Sequence, residues 1–456
     1  MKYVSTRGSA PELGFSDVLL SGLASDGGLY VPTEWPSLPS IGSDYSSAAV
    51  AIMSAYIGDD IPTDVLIELV GDSYATFRHP AVAPLVQIDD ELWIQELFHG
   101  PTLAFKDLAL QVVGRLFDYV LAERGERVTI VGATSGDTGS AAIDAVKACD
   151  NVDIVILYPH GRTSEVQRRQ MTTVDSPNVH AVAIDGTFDD CQDLVKAMFA
   201  DEQLRNDCNL SAVNSINWAR VMAQIVYYVT ASESLSGSPT FCVPTGNFGN
   251  VLAGWIAKST GASIDHLLIA SNANDILARF VNDRDMSAAD VVPTLSPSMD
   301  IQVSSNFERL LFEMNDRNGG VTAEQLQRFR STGKLEVEEG EFRDWVSSTF
   351  SAERVDDEQT LAEIARVYSE TGLLIDPHTA TGTAAARRND RSGATVCLAT
   401  AHAAKFPDAV ERATGIRPEL PTALGDLMER PEQITNLDAD LAAVSAFVRQ
   451  MSRVDR

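Results

Sequence analysis

The period of the hydrophobic positions changes near residue 90, and the change sets the expected architecture. Before it, SSAAVAIMSAYIG (46–58) and PTDVLIELVGDSYA (62–75) repeat apolar residues at helical spacing, while the Gly-, Pro- and Ser-rich stretch from Gly22 to Ser40 reads as loop. A small, mostly helical N-terminal domain over residues 1–90 is expected. From Glu91 onward, short β-branched runs alternate with amphipathic segments: RVTIVGA then GSAAIDAVKAC, VDIVILYP then TSEVQRRQM, NVHAVAID then FDDCQDLVKAMFA. A second group follows, with TFCVPTG leading into NVLAGWIAKS, HLLIASNA into DILARFV, and ATVCLAT near the C-terminus. That alternation is the mark of βαβ units. The pattern predicts an α/β protein whose core, 91–456, holds two doubly wound parallel-sheet lobes, the small one over roughly 128–240 and the large one over the remainder. The charge-rich stretch 334–359 reads as an inserted, solvated helical face.

Charge removes several function classes. Against 35 Lys and Arg stand 64 Asp and Glu, a net charge of −29, which repels a phosphate backbone and an anionic lipid surface alike. Neither nucleic acid nor membrane is an expected partner. No run approaches the ~18 apolar residues of a spanning helix, and MKYVSTRGSAPELGFSD lacks the apolar centre of a signal peptide, so a soluble cytoplasmic protein is expected. The five cysteines (Cys149, Cys191, Cys208, Cys242, Cys397) are scattered with no CxxC pair, and the histidines form no HExxH, so neither a disulfide framework nor a metal site is predicted.

Ligands of doubly wound folds bind where strands end and helices begin, and four such junctions carry chemistry. In ELFHGPTLAFKDLALQ, Lys106 opens a helix beside Leu103 and Phe105. Burial and the positive end of the helix disfavour its charged form, which suits a Schiff-base nucleophile. In GATSGDTGS, the residues Thr134, Ser135, Gly136, Asp137 and Thr138 follow a strand and open a helix, so N–H groups and hydroxyls converge as an anion cradle. The glycines have neither the GxGxxG nor the P-loop spacing, and Ser135 has Ala133 where a hydrolase elbow needs glycine. In PTGNFGN, Gly246 and Gly249 bracket Asn247 and Phe248 and precede Asn250, a strand-to-helix loop suited to a phosphate. Thr400 places a hydroxyl at the end of ATVCLAT. A desolvated lysine, a phosphate loop, an anion cradle and a strand-end hydroxyl together describe a site for pyridoxal 5'-phosphate.

At these residues the sequence resembles threonine synthase, of the tryptophan synthase β-like, fold type II pyridoxal phosphate enzymes. SDGGLYVP, NSINWARV, SMDIQVSSNFER, IDPHTATG and LATAHAAKF extend the resemblance over nearly the whole chain. It implies that Lys106 carries the cofactor, that Gly246, Asn247, Phe248, Gly249 and Asn250 hold its phosphate, and that Thr400 meets the pyridine nitrogen. Thr134, Ser135, Gly136 and Thr138 would bind substrate, while Asp137, where the wider family usually has asparagine, would touch the ring. The implied reaction is O-phospho-L-homoserine plus water giving L-threonine and phosphate. Arginine forks suit phosphate geometry, so Arg162, Arg220 and Arg309 are candidates for the leaving group, with Asn217 and Ser305 as further substrate contacts. A monomer or a homodimer fits the family. Two alternatives remain: another fold type II lyase, such as a serine/threonine dehydratase or a cysteine synthase, and a non-catalytic Rossmann-like phosphate binder.

Overall fold

The computed structural model describes residues 1–212 and 214–454. Its strands begin with β1 (Lys2–Ser5), β2 (Leu13–Gly14), β3 (Tyr30–Pro32), β4 (Leu85–Gln87) and β5 (Leu92–Glu96). There follow β6 (Val128–Ala133), β7 (Val152–Pro159), β8 (Val179–Asp185), β9 (Leu210–Ser211), β10 (Thr240–Pro244) and β11 (His266–Ser271). The chain ends with β12 (Met286–Ser287), β13 (Lys334–Leu335), β14 (Phe350–Arg354), β15 (Thr395–Ala399) and β16 (Thr435–Asp438).

The two lobes are two sheets. The larger has the order β14-β11-β10-β15-β5-β4, parallel throughout except for the antiparallel edge strand β4. The smaller, β16-β8-β7-β6-β9, is wholly parallel. All eight residues of VDIVILYP in β7 are buried, as a central strand covered on both faces requires. Helix Lys106–Arg124 is buried along most of its length and packs against the helices Asp137–Val146 and Trp218–Ser234.

The N-terminal region carries the expected helices, Tyr45–Ile57 and Thr63–Tyr74, and also a small antiparallel sheet, β2-β1-β3. It docks through aromatics: Tyr3, Trp35 and Tyr56 surround Trp218, whose Nε1 donates to the Tyr3 hydroxyl at 3.0 Å. Two boundaries and one element differ from expectation. β4 already pairs with β5, so the chain enters the large sheet before residue 90. β16 pairs with β8, and helix Leu441–Met451 packs beside it, so the C-terminal segment returns to the small lobe, beyond the expected limit at residue 240. Within the stretch 334–359, β14 is a parallel edge strand on β11, because Phe350 and Ala352 turn inward while the charged residues face solvent. Among the described residues no helix is long and apolar enough to cross a membrane, and no cluster of His, Cys, Asp and Glu could hold a metal ion.

Candidate active site

The four junctions converge at the C-terminal ends of β5, β10 and β15 in the large sheet and β6 in the small one. Lys106 is fixed first by its own turn. The Asp107 carboxylate accepts from the Thr102 amide at 2.8 Å and from its hydroxyl at 2.6 Å, which closes the turn that Leu103 completes at φ 65°. Glycine at position 100 is required by packing, since a Cβ there would lie 2.4 Å from the Asp107 Cβ. Burial pushes the Asp107 carboxyl up to about 6. The turn is then laced to the strand end: Phe105 N–H donates to the Thr400 carbonyl at 2.8 Å and His402 N–H to that of Leu103 at 3.0 Å.

Only 7% of Lys106 is exposed. Burial lowers its pKa; Asp137 works against that, and the cations of Lys405 and Arg220 reinforce it. Nζ lies 3.3 Å from Asp137 Oδ2 and 3.3 Å from Ser298 Oγ. Asp137 opens helix Asp137–Val146 and is buried, which by itself would raise its pKa, but the ammonium groups of Lys106 and Lys405 hold it well below the carboxylate range. Its Oδ1 takes 2.7 Å and 2.8 Å contacts from Lys405 Nζ and Gln167 Nε2, and its Oδ2 accepts from Ser298 Oγ at 3.0 Å. Ser298 is oriented in turn: its N–H donates to His378 Nε2 at 3.2 Å, while His378 Nδ1 lies 2.6 Å from Asp376.

The PTGNFGN loop leaves β10 with Phe248 in the left-handed region at φ 65° and opens helix Gly249–Thr260, whose N-cap side chain makes no capping hydrogen bond to the first turn. A Cβ on Gly246 would meet the Ser298 carbonyl oxygen at 3.0 Å, so Ser298 borders both the loop and Lys106. The loop is held by Asn306, whose N–H and side-chain amide both donate to the Asn247 carbonyl at 3.1 Å. Asn250 Oδ1 accepts from the hydroxyls of Tyr227 and Tyr228, and its buried Nδ2 has no partner among the described residues. Arg220 is also buried and, among the described residues, lacks a partner at Nε and Nη1; burial draws its pKa down to about 10. Unpartnered buried donors at a helix N-terminus fit a phosphate.

Several predicted residues lie elsewhere or serve other ends. Arg309 is buried, but its guanidinium donates to the carbonyls of Tyr30 at 3.0 Å and Ile216 at 2.6 Å and to the Asn306 side chain, so it ties the N-terminal region to the core rather than facing a ligand. Asn217 caps helix Trp218–Ser234, accepting from the Ala219 amide at 3.0 Å and donating to the Leu19 carbonyl at 2.8 Å. Arg162 is exposed, and its charge acts on Asp190, at the edge of the small lobe. The Thr134 hydroxyl oxygen shapes the cradle by accepting from the amides of Gly136 and Gly139. Ser135 is exposed and Thr138 half-buried, so both remain open to a ligand. Sequence reasoning assigned no role to Ser298, His378, Gln167 or Lys405. The motifs SMDIQVSSNFER, IDPHTATG and LATAHAAKF held the signal for three of them.

Three families match in succession: Threonine synthase N terminus over residues 2–74, Pyridoxal-phosphate dependent enzyme over 76–349, and Threonine synthase, C-terminal over 379–448. Threonine synthase of Pseudomonas aeruginosa is 52% identical, with 99% of this chain and 98% of that protein covered. The chain belongs to the threonine synthase family. Among solved structures, PLP-bound threonine synthase from Brucella melitensis superposes with a TM-score of 0.97 at 51% identity, all of both chains being covered. Yeast threonine synthase gives 0.92 at 40% identity over 99% of this chain and 98% of its own. The match to threonine synthases thus includes the N-terminal sheet, the Lys106 turn and the segment carrying Thr400 and Lys405. The fold is that of the fold type II enzymes, and the cofactor is pyridoxal phosphate.

Proposed function

We propose that this chain converts O-phospho-L-homoserine and water to L-threonine and phosphate, the last step of threonine biosynthesis, with pyridoxal 5'-phosphate held at Lys106. The observation that carries the reading is a buried lysine amine together with a strand-to-helix loop in which the buried Asn250 Nδ2 has no partner among the described residues. The cofactor's phosphate is assigned to Gly246, Asn247, Phe248, Gly249 and Asn250, and its ring nitrogen to Thr400. When bound, the cofactor supplies an electron sink for the negative charge that develops on substrate carbon.

The protein supplies proton transfer and placement. Lys106, with its charged form disfavoured by burial, takes a proton from the substrate Cα and then from Cβ. The two protons return to Cγ, which loses phosphate and becomes the methyl group, and to Cα, while water adds its hydroxyl at Cβ and its remaining proton leaves with phosphate. Ser135, Gly136 and Thr138 receive the substrate carboxylate at the start of helix Asp137–Val146, where the helix dipole favours an anion. Arg220, whose Nε and Nη1 have no partner among the described residues, is the arginine we assign to the leaving phosphate. Dehydratase or cysteine synthase chemistry is set aside, because the match to threonine synthases runs through the N-terminal and C-terminal segments as well as the cofactor domain. A cytoplasmic setting accords with five buried, unpaired cysteines, and the net charge of −29 speaks against nucleic acid as a partner. We assign a monomer or a homodimer.

An absorbance spectrum before and after borohydride reduction, followed by O-phospho-L-homoserine with phosphate and threonine assays, tests the reading. A band at about 410 nm, fixed at Lys106 by reduction and accompanied by equimolar phosphate and threonine, is expected. The band without phosphate release would reassign the substrate; no band after cofactor addition would overturn the reading.

A further inference from the structure

Lys405 is fully buried, and its Nζ touches the Thr102 carbonyl at 2.9 Å and Asp137 Oδ1 at 2.7 Å. Both contacts concern the machinery around Lys106. Thr102 is the turn closed by Asp107, and the other oxygen of Asp137 faces Lys106 Nζ at 3.3 Å. One carboxylate therefore lies between two buried ammonium groups that come from opposite ends of the chain. A buried lysine loses hydration and persists only where a counter-charge compensates. We propose that Lys405 is a positioning residue: it locks Asp137 as a carboxylate aimed at Lys106, and thereby sets the acidity and placement of the amine that holds the cofactor. The proposal rests on the reading of Lys106 given above.

The charged groups facing the pair are few. Arg220 and Lys405 act on Lys106 as cations, and the Phe105 ring lies 5.4 Å from its Nζ. His378, backed by Asp376, acts on Asp137 from helix Pro377–Ala386. Asp107 is turned to Thr102 and feels Asp144 behind it. Within this set, removing Lys405 deletes a cation beside Lys106 and leaves Lys106 as the one ammonium group against Asp137; both changes favour protonated Lys106. Removing the Asp137 charge does the reverse.

Capture of pyridoxal phosphate by the cofactor-free protein reads this directly, since only the neutral amine reacts. The rate of capture, trapped with borohydride and located by peptide mass, is measured against pH for the wild type, Lys405→Met, Lys405→Arg and Asp137→Asn, with circular dichroism confirming each fold. The pH at half-maximal capture is expected to rise by about one unit in K405M, to fall by about one unit in D137N, and to stay near wild type in K405R. Movement of folded K405M and D137N in the same direction, or of neither, overturns the proposal. Should K405M fail to fold, D137N decides: a midpoint that does not fall overturns it. A wild-type protein in which Lys106 captures no cofactor at any pH refutes the functional reading instead, so the two failures are distinct.

Discussion

The backbone amide of Phe105 donates to the carbonyl of Thr400 at 2.8 Å, joining the lysine turn to the end of β15. Both groups are main chain, so the placement of Lys106 does not depend on the Thr400 side chain. Thr400→Ala is therefore expected to leave cofactor loading and the unfolding midpoint near wild type while lowering kcat about tenfold, a loss of about 1.4 kcal/mol in the transition state. Borohydride trapping at Lys106 together with steady-state kinetics checks it. A variant that loses loading would refute the separation of roles.

Arg309 and Arg220, both buried, should part company on mutation. Arg309→Leu strands the Tyr30 and Ile216 carbonyls and the Asn306 oxygen, so stability should fall by about 3 kcal/mol in urea unfolding, with KM for O-phospho-L-homoserine little changed in the folded fraction. Arg220→Gln deletes a charge that has no protein partner at Nε and Nη1. Its stability should hold, while kcat/KM drops at least about a hundredfold if the arginine meets phosphate. Equal loss of stability in both variants would contradict this division.

Gly136 sits at φ 143°, and a Cβ there would lie 2.5 Å from Gln167 Oε1. Gln167 holds Asp137, so Gly136→Ala should disturb the cradle through its neighbour. Cofactor loading is expected to weaken and kcat to fall more than tenfold; unchanged values of both would show that the loop relaxes freely.

Acid should act through Asp137. Its folded pKa is held well below the ordinary carboxylate value of 3.8, so the stability it contributes is complete above that value and is lost as pH falls below it. Urea midpoints measured between about pH 5 and about pH 2.5 should decline more steeply for the wild type than for Asp137→Asn, whose neutral amide does not titrate. Parallel declines would remove Asp137 from the acid response.

The alternation of strands and helices was plain in the sequence because buried parallel strands such as VDIVILYP are continuous apolar runs. β1, β2 and β3 were not, being two to four residues long, too short for a period to develop. β14 was hidden by its charged outward residues. Lys106 and the Asn250 loop were legible because their chemistry lies within a few residues of one junction. Lys405 was not, since a lysine in a sequence reads as solvated, and its burial depends on Thr102, 303 positions away. Arg309 and Asn217 lie in motifs that mark the family, but a motif does not say which way a side chain turns.

β16 completes the small-lobe sheet after the whole large lobe has been made, and Arg453 then seals the lobe by donating to Asp153 at 2.5 Å. During synthesis, β8 thus emerges with a bare edge that stays open for the following 250 residues or so of the chain. A chain cut short before Thr435 would carry that open edge permanently, a template for pairing with its own copies. The segment Thr435–Met451 thus covers an edge that the rest of the small lobe leaves bare.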